Sequence, residues 1–362
     1  MLRITGAWKE GGDVRRNYID NLRSLAILLL FPVHTLMLWN DFGTKFYIWM
    51  GESRLLSTLI VLINPWFMPL LFVLAGVSAR YALEKRTYKA FVAQRVWRLL
   101  LPFLCGMLLY VPFQSLFARK FFYGCKDGLL AHWQYFFTHI TDFSGYDGGF
   151  TPGHLWFILF LFVISMVSLP LFRFLPYHKS AKKVEELPAW GILLLFIPIW
   201  LLYYLGNVGG FSIGKDLALY LAGYYLFSSD EVLQTLERNG KWLAVLWGGS
   251  MAALGVLYYK YAYYGDFWVN WVGWLSILML LILGKRCMNR CNCFTAYLCG
   301  ASYPIYLLHQ TILVVLAYYV VQAVQNPGLQ VTGILFGSFA LTVLAHGLIR
   351  KIPIVRKMFG MQ

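Results

Sequence analysis

Long apolar runs separated by short polar stretches organise this chain. They fall at roughly 20–39, 55–82, 97–118, 154–174, 188–205, 214–228, 241–260, 267–284, 296–324 and 330–350. A helix needs about 20 mostly apolar residues to cross a bilayer, and all but the short sixth run come close to that. The alternating ten-residue segments of a transmembrane β-barrel are absent. The pattern predicts an all-α polytopic bundle of about ten transmembrane helices. No internal repeat or long linker divides the chain, so residues 1–362 read as a single domain. The first run is too long for a cleavable signal and no small-residue cleavage site follows it, so it is expected to remain a membrane helix.

Composition agrees with this pattern. Of 362 residues, 59% are hydrophobic and 13% charged, against about 25% charged in a soluble protein. The net charge of +15 would suit nucleic acid, but its distribution points elsewhere. With the N-terminus in the cytoplasm, loops on that side carry most of the 31 basic residues. The other side holds Lys45, Arg54, Arg119, Lys120, Lys126, Lys215 and Lys260. This is the positive-inside bias of a plasma-membrane protein with both termini cytoplasmic, and no nucleic-acid partner is expected. Cys287, Cys291 and Cys293 form C-x3-C-x-C in a short loop, with Cys299 beyond and Cys125 alone in an outer loop. That spacing lacks the paired ligands of a zinc site, so reduced thiols and no metal are expected.

Polar residues inside apolar runs are the candidate chemistry, because ionisable groups are costly in lipid and face cavities or pathways. Arg23 and His34 are eleven residues apart, within about 20° of three full turns and roughly 16 Å along the axis. One helix face thus carries a cation near its inner end and a titratable ring past the midplane. Pro32 has no N–H for the Leu28 carbonyl and loosens the helix before His34. Asp20, three residues before Arg23, is placed to pair with it. "AGVSAR" (75–80) supplies small residues where a neighbouring backbone or a ligand can approach.

Arg95 and Arg98, just before Pro102, share a face at helical spacing. They either flank the membrane or cradle a phosphorylated ligand, to which arginine forks are suited. "DGGFTPGHLWFI" (147–158) runs from a glycine-rich outer loop into a helix and brings His154 and Trp156 to the outer interface. "ASYPIYLLHQ" (301–310) sets Ser302, Tyr306 and His309 at helical spacing, with Pro304 interrupting the ladder. Each has a plainer reading: snorkelling arginines, histidines bonded to neighbouring helices, and an aromatic interfacial belt.

Taken together these pieces resemble acyltransferase family 3, membrane-bound O-acyltransferases of about ten helices. The resemblance rests on Arg23-x10-His34, "FVLAGVSAR" (72–80), Arg95-x2-Arg98-x3-Pro102, "HLWF" (154–157), "IYLLHQ" with His309, and "IRKIPIVRKMF" (349–359). They occur in order along nearly the whole chain, and look closest to the branch containing glucan biosynthesis protein C, which modifies periplasmic glucans. Ala75 stands where many members carry serine, so no hydroxyl role is expected there.

The resemblance implies transfer of an acyl group, acetyl or succinyl, from cytoplasmic acyl-coenzyme A to a hydroxyl of an extracytoplasmic glycan or similar acceptor. The donor would dock near Arg23, Arg95 and Arg98, its pantetheine arm rising toward His34. His34 would be the general base or a covalent acyl relay, oriented by a partner from another helix. Tyr306, Ser302 or a freed backbone N–H would meet the oxyanion. His154, Trp156 and His309 would lie on the acceptor side. No metal or prosthetic group is implied, the expected location is the bacterial inner membrane, and oligomeric state is open. The main rival is a secondary transporter or flippase, with Arg23 binding an anion and His34 relaying protons. The lack of an inverted repeat weighs against it. A third is a sensor or scaffold whose polar residues only join helices.

Overall fold

The first apolar run folds as two helices. α1 (Asn17–Leu28) and α2 (Leu30–Leu36) meet at Leu29, beside the Leu28 carbonyl that Pro32 cannot serve. A 3-10 turn, Met37–Trp39, completes the span. These elements come from a computed structural model, which describes residues 16–43, 46–208 and 211–361. Arg3, Lys9, Arg15 and Lys45, which entered the charge argument, lie outside the described residues.

The described chain is almost entirely helical. α3 (Arg54–Lys85) leads to α4 (Tyr88–Arg95), α5 (Leu101–Leu109) and α6 (Val111–Tyr123), and a π-helical turn at Val96–Leu100 joins α4 to α5. Then come α7 (Leu129–Thr138), α8 (Trp156–Phe174), α9 (Tyr177–Glu185), α10 (Ala189–Leu194) and α11 (Phe196–Leu201). A two-stranded hairpin, β1 (Asn207–Val208) with β2 (Phe211–Ser212), precedes α12 (Ile213–Tyr225) and α13 (Asp230–Arg238). The last helices are α14 (Gly240–Tyr261), α15 (Asp266–Cys287), α16 (Cys293–Ala323), α17 (Pro327–Ile349) and α18 (Pro353–Met358).

Among the described residues, eight segments are long and apolar enough to cross a membrane. The two other runs expected to span are shorter. Ala189–Tyr204 is an apolar helix below that length, interrupted at Leu195. α12 has 13 residues, about 20 Å of helix, and its apolar surface is spent on α3 rather than on lipid.

The α3–α12 contact is the most extensive between any two elements, and glycine makes it possible. A Cβ on Gly223 would lie 2.1 Å from the Val73 carbonyl oxygen, and one on Gly76 2.0 Å from that of Tyr220. The two backbones touch, as small residues permit in membrane helices. Overpacking costs about 1–3 kcal/mol in ordinary cores, and here the obstacle is backbone. Gly223→Leu is therefore expected to lower the thermal midpoint of the detergent-solubilised protein by several degrees. Gly248→Leu, where a Cβ meets open space, serves as the control and should leave the midpoint unchanged.

The two ends of the bundle differ. At the basic end Arg16 pairs with Asp230 at 2.6 Å and Lys285 with Glu237 at 3.2 Å, tying α13 to α1 and α15. The Asn21 amide donates to the carbonyls of Met288 (2.5 Å) and Arg290 (2.9 Å), fixing the α15–α16 turn onto α1. At the other end, the loop after α7 folds down beside α6. Gly148 is required there twice: its φ is +87°, and a Cβ would lie 1.8 Å from the Arg119 side chain.

Candidate active site

A cavity of about 750 Å³ opens at the loop end and reaches into the bundle between α2, α3, α8, α12 and α16. Its walls include His34, Asn64, Tyr47, His154, Trp156, Asp216, Tyr306 and Gln310, set among apolar residues such as Leu30, Met68 and Phe103. This is the usual make-up of a ligand site: mostly apolar, with a few convergent polar groups.

Three imidazoles from separate parts of the chain meet here, His34 and His154 on the cavity wall and His309 packed against both. His34 of α2 lies between the ring of Phe46 (centroids 5.9 Å apart, planes 9° apart) and that of His309 of α16 (5.3 Å, 20°). His309 in turn sits edge-on to His154, at the start of α8, with centroids 4.9 Å apart. His34 is thus oriented by stacking from α16 and from the segment after α2, with no carboxylate in that role among the described residues.

Hydrogen-bond partners fix two of the three tautomers, because a carbonyl only accepts. His154 Nε2 is 3.0 Å from the Leu307 carbonyl and must carry the proton. Its Nδ1 is then an acceptor, and it receives the Gln114 amide at 3.2 Å. Gln114 Nε2 also donates to Thr311 Oγ1 at 2.7 Å, and its Oε1 accepts from Gln310 Nε2 at 3.0 Å. Both nitrogens of His154 are therefore committed, and it braces the site instead of exchanging protons.

His309 Nδ1 donates to the Tyr306 carbonyl at 2.6 Å. Its Nε2 is left with a lone pair, buried and without a hydrogen-bond partner. His34 Nδ1 is likewise buried and without a partner. Buried polar atoms are nearly always paired, so unpaired ones mark places where something else bonds.

The structure gathers His34, His154, Trp156, Tyr306 and His309 and leaves Ser302 aside. Ser302 does not line this cavity, and its hydroxyl donates to the Cys299 carbonyl one turn back at 3.3 Å. The Tyr306 hydroxyl donates to the His154 carbonyl, so its ring lines the cavity while its O–H is committed. Trp156 lines the cavity with one face stacked on Phe211 at 3.8 Å.

The arginines form a separate group at the basic end, and the cavity lining does not include them. Arg23 pairs with Asp20 at 2.8 Å and donates to Ser78 at 2.9 Å. The serine of "AGVSAR" thus joins α1 to α3. Arg95 lies over the Phe91 ring at 4.6 Å, close enough to Arg23 and Arg98 to feel both charges, and its Nε is buried without a partner. The shared face expected for Arg95 and Arg98 is altered. The turn between them is π-helical, a wider turn than the 3.6-residue spacing assumes.

Sequence reasoning missed Gln114, Thr311 and Asp216, took Lys215 only as an outer-side charge and Asn64 only as an interruption of the second apolar run, and gave Gln310 no role. Each is a polar residue inside or beside an apolar run, which is the signal that could have found them. A second histidine constellation lies at the loop end, where His132 Nε2 is 2.9 Å from Ser115 Oγ. Arg119 donates to its Nδ1 at 3.3 Å, so the proton sits on Nε2 and the imidazole cannot accept from the serine. That arrangement is structural. Among the described residues no group of three or more His, Cys, Asp or Glu could hold a metal ion.

The acyltransferase family 3 model, an acyltransferase domain, matches residues 16–347, and the chain belongs to that family. It is a multi-pass membrane enzyme that transfers acyl groups. No curated protein and no solved structure matches it.

Proposed function

We propose that the enzyme moves an acetyl or succinyl group from acyl-coenzyme A, bound at the basic end, to a hydroxyl of a glycan entering the cavity from the loop end. The observation that carries this reading is His34, an imidazole that lines the cavity and whose Nδ1 is buried without a hydrogen-bond partner, stacked on His309, whose Nε2 is likewise unpartnered. An alcohol is a weak nucleophile until a base takes its proton, and imidazole suits that task near neutrality. His34 accepts the hydroxyl proton as the oxygen attacks the thioester carbonyl. The tetrahedral intermediate then collapses, the C–S bond breaks, and the proton passes from His34 to the departing thiolate.

The oxyanion needs a donor. Ser302 and Tyr306 are committed elsewhere, so we assign this role to Gln310. It lines the cavity and spends one amide hydrogen on Gln114, leaving the other. At the basic end, the unpartnered Arg95 Nε, with Arg23 and Arg98 near it, supports binding of the donor's phosphates. The pantetheine arm then passes the level of Leu30 and Phe103 to reach His34. The glucan-modifying branch of the family remains our preferred source of the acceptor.

Calorimetry with coenzyme A tests the donor end. Wild type is expected to bind, and Arg95→Gln to bind at least tenfold more weakly. Equal affinity of the two would return the arginines to a flanking role. The orientation, with both termini cytoplasmic in the bacterial inner membrane, is tested by Ile140→Cys in a background whose six free cysteines, Cys105, Cys125, Cys287, Cys291, Cys293 and Cys299, are serine. Ile140 is exposed in the loop after α7, so a membrane-impermeant maleimide should label it from the periplasm. Labelling only after permeabilisation would invert the topology.

A further inference from the structure

A second cavity, of about 390 Å³, lies beside the first and shares Asn64 and Lys215 with it. The remainder of its wall comes from Phe42, Tyr203, Tyr264, Asp266 and Asn270, with apolar residues of α3 and α15. Its position, at the start of α15 and beside the α14–α15 turn, puts it at the loop end, where the acceptor enters. We propose that this cavity is a subsite for a second sugar ring of the acceptor, which makes a neutral oligosaccharide of two or more rings the substrate class. The proposal rests on the acyl-transfer reading of the first cavity.

The lining chemistry selects the ligand. Asn64 sits in the first third of α3, next to Pro65, yet it lines both cavities and no hydrogen-bond partner for it occurs among the described residues. An amide held open at that depth is costly in a membrane helix unless it meets a polar ligand. Lys215 lies over the Tyr203 ring at 5.1 Å and feels the charges of both Asp216 and Asp266. A phosphate or other anion would be drawn to the lysine and repelled by the Asp266 carboxylate, and a lipid tail would leave these charges and the Asn64 amide unsolvated, the Asn270 amide being bonded already to the Asp266 carbonyl at 2.7 Å. A neutral polyol satisfies them. Its hydroxyls pair with the Asp266 carboxylate, the Lys215 ammonium and the amides of Asn64 and Asn270. Its C–H faces pack on Tyr203 and Tyr264. The volume falls within the ~300–1,000 Å³ typical of small-molecule sites, and the shared wall at Asn64 and Lys215 lets one chain of sugars occupy both cavities.

Saturation-transfer NMR on the full-length protein in nanodiscs tests this, with glucose, maltotriose, cellotriose and laminaritriose as probes. At least one trisaccharide is expected to bind ten or more times tighter than glucose. That preference should be lost in Tyr203→Ala and in the isosteric Asp266→Asn, and kept in Gly248→Leu, where a Cβ meets open space. Glucose binding as tightly as every trisaccharide, no binding by any probe, or trisaccharide binding indifferent to both subsite variants would each overturn the proposal. Coenzyme A calorimetry on the same samples separates the two readings. Coenzyme A binding without sugar binding removes only the subsite, whereas sugar binding without coenzyme A binding keeps the subsite and removes coenzyme A as the acyl donor.

Discussion

Replacing His34 with alanine is expected to lower acyl transfer about 10²–10⁴-fold, the usual contribution of a positioned general base, while coenzyme A still binds. The split follows from geometry. His34 lines the cavity between Phe46 and His309, whereas the arginines assigned to the donor lie outside that lining. Alanine removes a ring from a stack that includes His309, so His34→Phe is the companion variant. It keeps the stacking surface and removes only the nitrogens. Loss of transfer in both variants, with normal detergent-phase elution, places the chemistry on the imidazole. Loss in alanine alone would make His34 a spacer and move the base to His309, whose Nε2 lone pair is also unpartnered. A burst of acyl-enzyme in wild type on rapid mixing, absent from both variants, would instead favour the covalent relay.

What the chain reveals by pattern differs from what it reveals only when folded. Long apolar runs, small residues and lone ionisable groups are properties of single segments, so α1, α3 and the gathering of polar marks on α8 and α16 are legible. Glycine at 76 signals a close approach, but its partner, Gly223, is set by how α12 docks. Run length already marks α12 as the short sixth span, but that its apolar surface packs on α3 is set only by folding. Gln114 is more instructive. It is a lone amide in α6, 40 residues from His154 and 197 from Thr311 along the chain, so no local spacing announces its partners. The π turn at Val96–Leu100 is invisible for a related reason. The 3.6-residue period used to place Arg95 and Arg98 on one face assumes the regular helix that this turn interrupts. Ser302 and Tyr306 looked like free donors because their acceptors, backbone carbonyls one turn back and across in α8, have no side-chain signature.

Gln114→Leu is expected to cost the enzyme most of its turnover without touching substrate. One amide serves three partners: it donates to His154 Nδ1 and Thr311 Oγ1 and accepts from Gln310 Nε2. Leucine is apolar, one methylene shorter, and makes none of these bonds, and each buried group left unpaired costs about 1–3 kcal/mol. His154 would then be free to rotate or to change tautomer, loosening its edge-on contact with His309. Gln310 would lose the bond that aims its remaining hydrogen into the cavity. The first loss disturbs the stack that holds His34, and the second removes the assigned oxyanion donor. Both act on the chemical step, so kcat should fall at least tenfold while coenzyme A affinity stays within twofold. Gln114→Glu separates shape from hydrogen bonding, because an ionised carboxylate cannot donate to His154 Nδ1 and an un-ionised one cannot serve both His154 and Thr311. It should resemble Gln114→Leu in kcat even where its fold is better kept. If Gln114→Glu retains full turnover, the network is packing alone, and His154 and Gln310 are held by the helices without it.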